Sequence, residues 1–189
     1  MKTLLHTLKY FASLDGPDTQ VSQAELDMVL RYAGGKQVIV EIGCYEGSTT
    51  KALASVTLGQ VFTVDIFFPG RLGISYGELI ARHYCRRLSN VMFLKGASAA
   101  VGGTFSQLVD LLFIDADHSY QGVVQDWKTW FPKVKPGGII ALHDCVQTPA
   151  MPGRKGSMEF YECDIKAMRD VKEIAAVDSL VVLRKLTAE

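Results

Sequence analysis

The chain of 189 residues is 48% hydrophobic and 21% charged, which places it among globular domains and gives it length for one complete core. Its 20 basic and 20 acidic residues cancel, so no overall field draws it to nucleic acid or to an anionic membrane. Cys44, Cys85, Cys145 and Cys163 lack C-x-x-C spacing, and the chain is too long for a disulfide-stapled scaffold; free thiols in a reducing, cytoplasmic setting are expected.

In chain order, "MKTLLHTLKYFASL" reads as a helix rather than a leader. His6 and Lys9 interrupt its apolar run, and Leu4, Leu5, Leu8, Phe11 and Ala12 recur on one helical face. No stretch approaches the roughly 18 apolar residues of a membrane span. Ser22 with Glu25 is a capping-box signature, Leu26, Val29, Leu30 and Ala33 continue an apolar face, and Gly34-Gly35 ends the helix. Five short aliphatic runs follow: "VIVEI" (38–42), "VFTVDIF" (61–67), "VMFL" (91–94), "LLFID" (111–115) and "GIIALHD" (138–144). They have the composition of strands covered on both faces. Helix-length segments at 48–57, 76–88 and 120–131 lie between them, and repeated β-α units imply a parallel sheet with right-handed crossovers. At the end, "KEIAAV" and "LVVLRK" are separated only by Asp178-Ser179, which predicts a hairpin. The expectation is one domain over 1–189, with N-terminal helices in 1–36 and an α/β, Rossmann-like, doubly wound, mostly parallel core in 37–189. The segment "QTPAMPGRKG" (147–156), with two prolines, two glycines and two basic residues, reads as a lid loop.

Ligands of open parallel sheets collect at the carboxyl ends of strands. After the first strand comes "EIGCYEGSTT" (41–50), where Gly43 and Gly47 allow a tight turn and Ser48 or Thr49 can cap the next helix. Tyr45 occupies the place of the middle glycine in a dinucleotide fingerprint, where a side chain hinders a pyrophosphate. A nucleoside-like ligand without that group is expected. Asp65 ends the second strand about 20 residues on, where an acid can accept hydrogen bonds from ribose hydroxyls.

Glu41, Gly43 and Gly47 followed by Asp65, the "KPGG" before strand five and the closing hairpin resemble the class I S-adenosylmethionine-dependent methyltransferases. The resemblance runs from about Val38 onward and implies a seven-stranded sheet with an antiparallel C-terminal hairpin. It further implies a cofactor site in which Glu41 and the Gly43–Gly47 loop, with Cys44, Tyr45 and Ser48, serve the methionine end. Asp65 would serve the ribose, and Ala97 and Ser98 the adenine.

"FIDADHSY" (113–120) closes the fourth strand and "IIALHD" the fifth, so if those strands are neighbours their tips lie roughly 5 Å apart. Asp115, His143 and Asp144 then converge as a candidate site for a divalent metal such as Mg. The arrangement resembles the metal-dependent catechol and caffeoyl type of O-methyltransferase and the cephalosporin hydroxylase-like group; His143 and Asp144 stand where the catechol type has an acid-amide pair. His118 lies three positions after Asp115, at the place of that type's lysine, and is the candidate general base beside Asp115, an imidazole being able to take a proton near neutral pH. Asp117 either orients His118 or caps the next helix.

The expected function is methyl transfer from S-adenosylmethionine to a hydroxyl of a small molecule, assisted by a divalent metal. The alternative is a non-catalytic module that binds the same cofactor and acts through a protein partner. An oxidoreductase would need the missing central glycine, and an iron oxygenase a facial geometry that spacing does not supply. Specificity for the acceptor falls to the N-terminal helices, the insert "FFPGRLGISYGEL" (67–79) and the 147–156 loop. The apolar first helix offers a face for a second subunit, so a homodimer is a further expectation.

Overall fold

The computed structural model describes residues 2–70, 73–149, 151 and 153–187. Two helices, α1 (Lys2–Phe11) and α2 (Gln23–Ala33), precede the sheet. Then β1 (Val38–Ile42), α3 (Ser48–Val56), β2 (Gln60–Asp65), α4 (Tyr76–Tyr84), β3 (Val91–Lys95), α5 (Ser98–Thr104), β4 (Val109–Ile114) and α6 (Tyr120–Trp130) alternate. The chain ends with β5 (Val134–Leu142), α7 (Gly156–Cys163), β6 (Val171–Val177) and β7 (Leu180–Lys185).

The seven strands form one sheet in the order β3-β2-β1-β4-β5-β7-β6, parallel from β3 to β5, with β7 antiparallel to both its neighbours. This is the expected doubly wound sheet with its closing hairpin. Alternate strand residues supply two separate cores, because successive side chains point to opposite faces. Val40, Ile42, Leu112, Ile114, Ile140 and Leu142 pack against Trp127, Trp130 and Phe160 of α6 and α7. On the other face Ile39, Leu111, Phe113 and Ile139 meet Val29 and Ala33 of α2 and Leu53 of α3.

Three differences from the sequence reading have local causes. Helix α5 contains Gly102 and Gly103, which weaken a helical pattern. Gly102 is there for packing, since a Cβ would fall 2.3 Å from Thr129 Cγ2 of α6. Strand β5 starts at Val134 rather than Gly138, running through Pro136 and Gly137, and its pairing with β4 shifts register between Val109 and Leu111. Helix α7 begins at Gly156, the last residue of the loop-like 147–156 segment, with no side-chain cap.

Helix α1 forms as predicted and lies against α4, with Tyr10 Oη 2.9 Å from His83 Nδ1. Its Leu5 and Leu8 remain 57% and 60% exposed, whereas Phe11 of the same face packs against His83. Among the described residues no helix is long and apolar enough to cross a membrane.

Candidate active site at the tips of strands β1, β4 and β5

The strand order reverses direction between β1 and β4, and the crevice at that switch is where open α/β sheets bind ligands. The ladder continues past the strand ends: Gly43 N–H donates to Val64 O at 2.9 Å, Asp115 N–H to Ile42 O at 2.9 Å and His143 N–H to Ile114 O at 3.1 Å. Four strand tips are thereby tied side by side. Gly43 has φ +96°, and a Cβ there would fall 2.0 Å from the Asp115 carbonyl oxygen, so only glycine lets the β1 turn lie against the β4 tip.

Asp65 shapes the same turn. Cys44 N–H and Tyr45 N–H donate to its Oδ2 at 2.8 and 3.1 Å, and Phe67 N–H donates to Oδ1 at 2.7 Å. A carboxylate offers about four lone-pair sites, so one remains for a ligand hydroxyl. Beneath the turn Glu41 is fully buried; Thr50 Oγ1 donates to its Oε2, while Oε1 has no hydrogen-bond partner. Burial, with the charges of Asp115 and Asp65 adding to it, pushes the Glu41 carboxyl up to about 8 despite the bonds from Thr50 and Thr63.

Above these tips opens a cavity of about 950 Å³. The turn residues Gly43, Cys44, Tyr45 and Ser48 line it, as do Asp65, Ala97-Ser98, Asp115 and His118. Glu41, Gly47, His143 and Asp144 do not form its wall; Gly47, at φ +82°, instead caps α3 against Ala81. Part of the wall has no counterpart in the sequence reading. Residues 18–21, between α1 and α2, close one side, and they are clipped to the glycine turn because Asp18 N–H donates to buried Glu46 Oε2 at 2.6 Å. The same Glu46 oxygen lies 2.9 Å from His6 Nε2 on α1. Asp126 of α6 lines the cavity beside Ser98, its carboxyl raised by burial, and Trp130 Nε1 donates to Ser98 Oγ at 2.8 Å.

Asp115 and His118 of the wall and Asp144 beside them each offer one ligand atom, all within 4.8 Å of one another. His118 Nε2 is 3.2 Å from Asp144 Oδ2 and 4.0 Å from Asp115 Oδ1. The sequence assigns the imidazole of this set to His143, but the structure supplies it from His118. His143 is buried, with Nε2 3.2 Å from Glu25 Oε2; its Nδ1 lies 2.9 Å from Asp115 Oδ1 without the geometry of a hydrogen bond, so the ring meets Asp115 as a charge and stands outside the set of three. Burial alone would lower its pKa; contacts with Asp115, Asp144 and Glu25 win and hold it up at about 12, an imidazolium. Glu25, the capping-box residue of α2, answers it: burial raises the carboxyl, but bonds from His143, Ser179 and Ser22 outweigh burial and hold it at about 2. No local pattern announces this second duty of Glu25. His118 behaves oppositely, because burial, opposed by Asp144 and Asp115, leaves its pKa below the ordinary value and the ring neutral.

Residues 40–145, more than half of the chain, match a family described as a methyltransferase domain. The chain belongs to this family. A curated relative, uncharacterized protein y4gI of Sinorhizobium fredii, is 29% identical over 119 residues, covering 56% of this chain but only 13% of that protein's length. The chain also shares its fold with solved structures. The O-methyltransferase TomG of Streptomyces achromogenes, in complex with SAM, is 17% identical with a TM-score of 0.70, over 99% of this chain and 91% of that one. An O-methyltransferase of Bacillus cereus, in complex with SAH, is 22% identical with a TM-score of 0.67, over 98% and 91%. An rRNA methylase of Streptococcus thermophilus, 10% identical over 89% and 98% of the chains, reaches 0.65, so the fold alone does not select the acceptor.

Proposed function

We propose that this methyltransferase moves the methyl group of S-adenosylmethionine to a hydroxyl of a small molecule. The observation that carries the reading is the convergence of Asp115 and His118, on the wall of a cavity also lined by the glycine turn, Asp65 and Ser98, with Asp144 behind them. The cofactor supplies the electrophilic methyl carbon, so the protein's task is alignment and removal of the acceptor's proton. Two features suit that cofactor: the remaining acceptor site of Asp65 for the ribose, and the Ser98–Asp126 wall for the adenine. Neutral His118, 30% exposed on the cavity wall, takes the hydroxyl proton, while Asp144 holds its ring and Asp115 the acceptor.

Divalent-metal assistance is a second reading, favoured by a specific observation. Two carboxylates and one imidazole within 4.8 Å form a donor set that suits Mg or Mn. An ion held by Asp115, His118 and Asp144 would lower the pKa of the hydroxyl. His118 Nε2 would then serve as ligand rather than base. We place the protein in the cytoplasm, with a second copy seated on the exposed apolar residues of α1.

The test is turnover of a panel of small hydroxyl compounds with S-adenosylmethionine, with and without chelator, in the wild type and Asp115→Ala. Asp115→Ala should abolish turnover while binding of the cofactor, read by calorimetry, is largely spared. Full activity in that variant removes the catalytic assignment, and cofactor binding with biological activity untouched by the variant would favour the non-catalytic module.

A further inference from the structure

Lys155 lies at the N-terminal edge of α7, and its Nζ is ion-paired with Asp144 Oδ2, the carboxylate oxygen that also faces His118. The backbone that carries it is pinned. A Cβ on Gly156 would fall 1.9 Å from the Tyr120 amide nitrogen, Ser157 Oγ donates to Asp144 O at 2.6 Å, and Ser157 N–H donates to His118 O at 3.3 Å. Close packing and two hydrogen bonds on the neighbouring residues therefore aim this side chain, 26% exposed, at the acids. Asp144 itself sits at φ +58°, a costly conformation for an aspartate, kept where surroundings over-determine it.

On the opposite side His143 Nδ1 is 2.9 Å from Asp115 Oδ1 and 3.5 Å from Asp144 Oδ2. Each acid of the cation set is thus already met by a positive group of the chain itself. A divalent ion at Asp115, His118 and Asp144 would share the Asp144 carboxylate with Lys155, and two cations at that range repel strongly in a partly buried site. His143 is locked between Glu25 and Asp115, whereas Lys155 has a flexible four-carbon stem and can leave while its backbone stays.

We propose that Lys155 is the resident counter-ion of this site, competing with a divalent cation for Asp144 and weakening its binding. This rests on the reading of Asp115, His118 and Asp144 as a cation set. The ammonium keeps the acids neutralised when no ion is present, and an ion enters by exchange with it.

The test is titration of Mn²⁺ alone by calorimetry into the wild type, Lys155→Met, Lys155→Arg and the double variant Lys155→Met/Asp115→Asn, each checked for a native circular dichroism spectrum. If Lys155→Met does not fold, Lys155→Gln takes its place. The expected result is one Mn²⁺ bound at least tenfold more tightly by Lys155→Met than by the wild type. Lys155→Arg, which keeps the charge, should stay near the wild type, and the double variant should lose the gain. Equal or weaker binding by Lys155→Met, or a gain in Lys155→Arg of the same size, overturns the competition while leaving the cation set standing. No Mn²⁺ binding by either wild type or Lys155→Met overturns both.

Discussion

Glu25 Oε2 stands 3.2 Å from His143 Nε2, joining α2 to the tip of β5 across 118 positions of the chain. Because His143 Nδ1 also meets Asp115, an acid from the N-terminal helices is coupled through one imidazolium to the acid at the cavity. Glu25 further accepts bonds from Ser179 N–H at 2.9 Å and Ser179 Oγ at 2.6 Å, so the turn between β6 and β7 joins the same network.

Removing one member of a buried ion pair leaves the other charge uncompensated, at a typical cost of about 3 kcal/mol. Glu25→Gln should lower stability by about that amount at pH 6, measured by urea unfolding. The pH window follows from the shifts. Glu25, depressed from 4.5 to about 2, contributes stability above pH 4.5 that fades as pH falls toward 2; His143, raised from 6.5 to about 12, contributes fully below pH 6.5 and loses it as pH climbs toward 12. The deficit of the variant should therefore be largest between pH 4.5 and 6.5 and shrink in acid. A uniform deficit across pH would contradict the coupling.

Glu41 has the reverse sense for an acid. Its folded value of about 8 exceeds the ordinary 4.5, so the stability tied to its proton is complete below pH 4.5 and drains away as pH rises through 8. Glu41→Gln keeps the oxygen that accepts from Thr50 and cannot ionise. The variant should gain on the wild type as pH rises from 5 to 9, by an amount on the order of 4 kcal/mol at the upper end. Parallel unfolding curves for the two proteins over that range would show Glu41 to be ionised throughout.

Gly43→Ala adds a methyl group where only 2.0 Å separates the position from the Asp115 carbonyl, at a φ that alanine resists. The β1 turn and the β4 tip must then part. Binding of S-adenosylmethionine should weaken by at least tenfold in calorimetry, together with a stability loss of about 2 kcal/mol. Unchanged affinity would show that the cofactor does not rest on this turn.

His118→Asn should reduce kcat by about a hundredfold or more while leaving cofactor affinity near the wild type, the range expected for loss of a general base. Because burial keeps the ring neutral, the wild-type rate should hold through neutral pH and decline only below the ordinary histidine value of 6.5. That acid limb should vanish in the variant. Its persistence would assign the titration to another group.

The architecture was legible because the strands are apolar on both faces, and such runs have few other homes. The glycine turn, Asp65 and Asp115 were legible for a related reason, since they stand directly after strands. What escaped depends on distance along the chain. Which histidine turns to the acids is decided by Glu25 from α2, and nothing near His143 records that partner. Residues 18–21 reach the cavity wall through Glu46, again a contact between remote segments. Helix α5 was hidden by Gly102, whose missing side chain answers to Thr129 on another helix. Of the proposed lid at 147–156, Ala150 and Pro152 lie outside the described residues, and its final residue, Gly156, is packed tightly against Ser119 and Tyr120. Of the insert at 67–79, Arg71 and Leu72 lie outside them too.

The backbone bonds that carry the ladder beyond β1, β4 and β5 give the candidate site the stiffness of the sheet itself. Admission of reactants and escape of products must then be managed at the rim, where the strap of residues 18–21 hangs from Glu46, and mutations that slow or speed turnover by changing access will cluster there rather than at the anchored acids.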